Sequence, residues 1–203
     1  MAAAISGVGT RAQGPTTLGP LDSAGPIPYF IADGIAGSTY RPADRDLATW
    51  ALRRWQRAAG GTLRFESALE QDALVRVYWV PASDGQYGEV RSFMLERRRG
   101  AAVFIRPDTE ALGPEIALLA RQDPLLRDTI VYLTCLHELG HALGLTHTSN
   151  VRDIMYFFGF GGDIPGFFGR FRSQLRTRDD IANASGLSAA DVERVRALYG
   201  ARP

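Results

Sequence analysis

The sequence predicts a single α/β domain, and three observations carry that reading. A short apolar strand leads into an amphipathic helix and then four strand-like runs. A long apolar helical stretch ends in a cluster of metal-ligating side chains, and a capped helix closes the chain. At 203 residues, with 45% hydrophobic and 22% charged side chains, the chain is long enough for one substantial core and an arm. A net charge of +1 attracts neither nucleic acid nor a membrane surface. No apolar run is long enough to span a bilayer. The single cysteine excludes an intramolecular disulfide.

Residues 1–25 are rich in Gly, Ala, Ser, Thr and Pro without periodicity, which predicts a flexible arm ahead of a domain over residues 26–203. The first residues carry no basic n-region and no proper apolar h-region, so no signal peptide is visible. Pro28-Tyr29-Phe30-Ile31-Ala32 reads as the first strand, closed by the turn pair Asp33-Gly34. Leu47, Trp50, Ala51, Trp55 and Ala58 then recur at three- and four-residue steps until Gly60-Gly61 stops the helix. Both tryptophans are expected to anchor the core against the sheet. Thr62–Glu66 alternates, Leu74–Val80 is a stronger half-buried strand, and residues 90–95 and 101–105 follow as two more. Arg97-Arg98-Arg99 reads as a solvated turn.

Residues 110–122 hold a short amphipathic helix. Asp123 is a good N-cap, with Pro124 in the first helical position, for a helix through Leu126, Ile130, Leu133 and Leu136 to Leu143. Cys135 lies roughly 200° around that helix from His137 and faces the core. Near the C-terminus, Ser188 with Asp191 makes a near capping box. Val192, Val195, Leu198 and Tyr199 then stripe a final helix stopped by Gly200.

All 3 histidines fall between residues 137 and 147, in His137-Glu138-Leu139-Gly140-His141-Ala142-Leu143-Gly144-Leu145-Thr146-His147. His137 and His141 stand one turn and roughly 40° apart on the helix, so both rings can reach one ion. Gly144 lets the backbone leave in a left-handed conformation, and the turn can return His147 to the same ion. Three neutral imidazoles with one position open describe a catalytic rather than a structural zinc site. Glu138, roughly 100° round from His137, stands beside the ion as a general base instead of a ligand. A purely structural site has no use for such a base. That weighs against the competing reading, a zinc-bearing binding or adhesion module without turnover.

The pattern H-E-x-x-H-x-x-G-x-x-H followed by a methionine resembles the metzincin metallopeptidases. Within Asp153-Ile154-Met155-Tyr156, the spacing from His147 and the Met-Tyr pair resemble the matrixin branch. Leu187–Val192 and Ala197-Leu198-Tyr199-Gly200 are similar to the matrixin C-terminal helix. The resemblance implies a zincin/metzincin fold, with a twisted five-stranded mixed sheet, two long helices and a small irregular C-terminal part below the cleft. It implies a zinc endopeptidase with Glu138 as base, one catalytic zinc on His137, His141 and His147, and Met155 as an apolar floor. Residues 90–95 become the sheet edge along which an extended peptide or protein substrate pairs. Tyr156, Phe157, Phe158 and Phe160 become candidates for the substrate pocket, in a glycine- and phenylalanine-rich stretch over 157–171. Those rings serve equally as a wall for a large apolar side chain or as a cap on the lower core. Tyr156 is not assigned as an oxyanion donor, because astacin- and serralysin-like relatives place a zinc-reaching tyrosine one residue later, at Phe157 here. The resemblance also implies secretion, and a monomer is expected. The strand region carries no histidine, so a second, structural zinc is not expected. Calcium is possible at Asp84, Glu89 or Asp108 without supporting ligand spacing. Arg170, Arg172, Arg176 and Arg178 read as a solvated face.

Overall fold

A computed structural model describes residues 18–81 and 87–200. The first strand, β1 (Ile27–Ile31), leads to helix α1 (Asp44–Ala58). Strands β2 (Phe65–Ser67), β3 (Val75–Trp79), β4 (Gly88–Leu95) and β5 (Arg98–Ile105) follow. Helices α2 (Pro114–Gln122), α3 (Pro124–Ala142), α4 (Ile164–Arg172) and α5 (Ala189–Tyr199) complete the order. The five strands form one mixed sheet in the order β2-β1-β3-β5-β4, as expected. All neighbours are parallel except β4, which runs antiparallel to β5 at the edge.

The pleat sorts the side chains. Val75, Val77 and Trp79 of β3 and Ala101, Val103 and Ile105 of β5 are buried on the face that α1 and α3 cover. The opposite face carries a ladder of rings and guanidinium groups. Tyr78 stacks on Phe104 at 5.5 Å, Arg91 lies 4.9 Å over Phe104 and Arg76 lies 4.3 Å over Phe93.

Helix α3 is apolar almost all round and accordingly sits in the middle of the fold. Asp123 caps it, accepting from the Leu125 and Leu126 amides, and also pairs with Arg172 at 2.7 Å. Trp55 is buried as expected, and its indole N–H donates to the Leu136 carbonyl at 2.9 Å, tying α1 to α3. Trp50 differs: it is half-buried beneath the Arg178 guanidinium. The buried Arg127–Asp44 pair (Nη2 to Oδ2, 2.9 Å) joins the N-terminal ends of the same two helices. Cys135 is buried among them, and its thiol is pushed well up by that burial.

Two regions depart from the sequence reading. The C-terminal part is not all irregular: Asp163 accepts from the Gly166 amide and starts α4. Phe167, Phe168 and Phe171 bury one face of that helix, with Phe171 stacked 5.4 Å from Tyr132 of α3. The basic segment is no merely solvated face either. Arg172 pairs with Asp123, Arg178 with Asp128 and Asp46, and Arg170 donates to the Val151 carbonyl, so these cations strap the C-terminal part to the helices above. Residues 18–25 run without regular structure, with Leu21 buried and its amide donating to the Tyr199 hydroxyl at 2.8 Å; residues 1–17 lie outside the described residues.

Candidate metal centre

Helix α3 ends where its sequence requires. Leu143 is the last residue in helical conformation, and Gly144 takes φ +94°, which favours glycine. The carbonyls left over at the helix end are satisfied from outside. Arg99 donates to the Ala142 carbonyl at 2.7 Å and the Tyr199 hydroxyl to the Leu143 carbonyl at 2.8 Å. The turn then carries His147 back across the helix end.

The three imidazoles converge. One ring nitrogen of each lies within 4.8 Å of the others, the only such cluster of metal-ligating side chains among the described residues. His141 Nε2 and His147 Nε2 stand 3.1 Å apart. The edge of a tetrahedron built on zinc–nitrogen bonds of ~2.0–2.1 Å is about 3.3 Å, so the spacing fits a shared ion. The tautomers fit too. His137 Nδ1 meets the Ile154 carbonyl at 2.6 Å and His141 Nδ1 meets the Leu145 carbonyl at 2.8 Å. A carbonyl only accepts, so both Nδ1 atoms carry the proton and both Nε2 lone pairs are left for a cation. Zinc suits this donor set.

Met155 is fully buried against the helix that carries His137 and His141. A Cβ at Gly140 would lie 2.4 Å from its sulfur and 3.1 Å from the Trp55 ring, so this glycine lets the methionine turn and α1 press against the metal helix. The residue before the methionine holds His137 through its carbonyl. Its amide in turn donates to Asp191 at 2.8 Å. Asp191 also accepts from the Ser188 amide at 2.9 Å, completing the capping box of α5.

The candidate pocket residues separate. Phe157, 42% exposed, stacks on His147 at 4.7 Å, and Phe160, 64% exposed, packs edge-on against Phe157 at 5.4 Å. Phe158 turns the other way, onto Phe167 at 5.0 Å. Tyr156 is buried and donates its hydroxyl to the Gly161 carbonyl. Of the calcium candidates, Glu89 pairs with Arg91 and Asp108 accepts from the Glu110 amide, while Asp84 lies outside the described residues.

Electrostatics keep the rings neutral. Burial pushes His137 down to about 3, with His141 adding to the fall, and His141 down to about 4; His147 is lowered by burial as well. Glu138 is only 7% exposed. Burial pushes its carboxyl up to about 8 in the metal-free site, with Glu89 adding to the rise and Arg106 opposing it. The two effects have opposite signs in pH. Between pH 6.5 and 4.5 the unfolded chain holds protons on the imidazoles that the folded chain lacks, while the folded chain holds in excess only the one on Glu138, so stability falls as pH drops. Above 6.5 the unfolded imidazoles lose their protons and Glu138 comes to dominate, so up to about 8 stability falls as pH rises. Chelator-treated protein should therefore have its highest urea midpoint near pH 6.5. A midpoint that climbs steadily from pH ~5 to ~8 contradicts this assignment of protons.

The three histidines that the sequence spacing brings to one ion do converge. Sequence reasoning passed over the Ile154 and Leu145 carbonyls, which have no side-chain signature. Asp191 it read as a helix cap alone.

Comparison with known proteins agrees with this geometry. The family described as Matrixin matches residues 38–160, more than half of the chain. Stromelysin-2 of Rattus norvegicus is 40% identical over 76 residues, which cover 37% of this chain and 12% of that protein. The metal helix, the glycine turn, the third histidine and the methionine turn all fall inside the matched span, and the chain belongs to the matrixin family.

Proposed function

We propose that this chain is a zinc-dependent endopeptidase, with His137, His141 and His147 holding one ion and Glu138 acting as general base. The observation that carries this reading is the convergence of three neutral imidazoles next to a buried carboxylate. Zinc, when bound, acts as a Lewis acid towards the scissile carbonyl and makes water easier to deprotonate. The chain's own residues do the rest. Ile154 and Leu145 fix the ring orientations through their carbonyls, and Met155 excludes water from below. A Glu138 carboxylate oxygen takes a proton from the attacking water as the new C–O bond forms. It then gives that proton to the amide nitrogen as the C–N bond breaks.

The substrate is an extended peptide segment of a protein. Strand β4 pairs only with β5 among the described strands, so its outer edge offers backbone donors and acceptors for strand addition. The Phe157–Phe160 pair beside His147 favours a large apolar side chain there, with Tyr156 and Phe158 shaping the loop from within. Residues 26–203 serve as the catalytic unit, acting as one chain outside the cell. Among the described residues no helix is long and apolar enough to cross a membrane.

Digestion of a peptide library tests the proposal. Cleavage that a zinc chelator abolishes and added zinc restores is the expected result. Binding of peptides without any cleavage would make the chain a zinc-bearing adhesion module instead.

A further inference from the structure

Glu138 has a neighbour that the sequence pattern does not reveal. Gly88, the first residue of the edge strand β4, lies against its carboxylate, fifty residues away along the chain. A Cβ at Gly88 would stand 2.4 Å from Glu138 Oε1, 2.5 Å from Cγ and 2.6 Å from Cδ. No side chain tolerates such approaches, so anything larger than glycine must push the carboxylate aside. The strand itself cannot easily yield. Gly88 is in register with Ile105, and the preceding carbonyl, of Tyr87, accepts from the Arg106 amide at 3.1 Å. Nor is the glycine needed for its backbone conformation, since its φ lies outside the left-handed region. Space is what the position supplies.

We propose that Gly88 is a positioning residue for the reaction: its missing Cβ leaves the slot in which the Glu138 carboxylate stands. The inference rests on the reading of Glu138 as general base and goes beyond it, because it fixes where the base is held and by which strand. The strand assigned to substrate pairing then also sets the distance between base and scissile bond.

In the zinc-loaded Gly88→Ala variant, kcat should fall by roughly 10–10²-fold with zinc content kept, the loss falling on kcat rather than on KM, because a base moved by about 1 Å forfeits that much. Glu138→Asp, shortened by one methylene, costs activity alone but fits beside the new methyl. The two losses should therefore fail to multiply. Gly34→Ala, in the turn after β1, is the control. Its Cβ would meet the Tyr40 ring at 2.3 Å, and neither residue belongs to the site, so it should lower Tm and leave kcat unchanged. Thermal unfolding gives a reading independent of turnover: Gly88→Ala should lower Tm when Glu138 is present and not in the Glu138→Ala background. Unchanged kcat in Gly88→Ala, losses that multiply, or an equal fall in Tm in both backgrounds would each overturn the proposal. Failure of the wild-type protein to cleave any peptide would instead remove the base assignment, while the Tm comparison would still decide whether the slot exists.

Discussion

Glu138→Ala should keep its zinc and lose roughly 10²–10⁴-fold in kcat, the usual contribution of a positioned general base. Retention of the metal follows from geometry. The three imidazoles are oriented by backbone carbonyls and by the turn at Gly144, and Glu138 takes part in neither. Loss of rate follows because Glu138 is the buried carboxylate adjacent to the cluster; Glu89, the nearest rival, is half-buried and paired with Arg91. His141→Ala is the contrasting variant. It removes one of the three converging ring nitrogens, leaving too few to hold an ion tightly, and should lose metal and turnover together. Metal content after dialysis, measured beside kcat, separates the two outcomes. Near-normal turnover in Glu138→Ala would take the base out of the mechanism, and full zinc in His141→Ala would take that ring out of the ligand set.

What could be read without coordinates is what depends on near neighbours in the chain. His137 and His141 share a helical face through a four-residue step, Asp123-Pro124 announces the helix that carries them, and Gly144 marks its exit. Strands β3 and β5 were visible because their side chains alternate over five or more residues. Helix α4 carries ordinary signs of a helix start in Asp163 and Pro165, but the resemblance reads that stretch from its position, as a pocket wall or a cap on the lower core. It forms because Phe167, Phe168 and Phe171 gain a buried face against α3, a tertiary gain that no local propensity records. The slot at Gly88 and the Asp191–Ile154 bond stayed hidden for the same reason. Each joins residues that only the folded chain brings together.

That last bond predicts a second large effect. Asp191 is fully buried, and one of its oxygens accepts from both the Ile154 and Ser188 amides. Asp191→Ala leaves both N–H groups without their acceptor, at about 1–3 kcal/mol each when water cannot reach them. Against a total stability of about 5–15 kcal/mol, this is a major loss, readable as a fall in the urea midpoint at unchanged slope. The consequence should also reach the metal, because Ile154 is the residue whose carbonyl orients His137. A loosened turn lets that ring swing, and zinc affinity should weaken by about tenfold, the low end of the range for outer-shell changes. Asp191→Asn keeps an acceptor for the two amides and should recover most of both effects. If Asp191→Ala loses stability but binds zinc as tightly as the parent in a competition with a chelator, then the C-terminal helix supports the fold without orienting His137. Equal weakening in both variants would point to the negative charge of Asp191, not its hydrogen bonds, as the link to the metal.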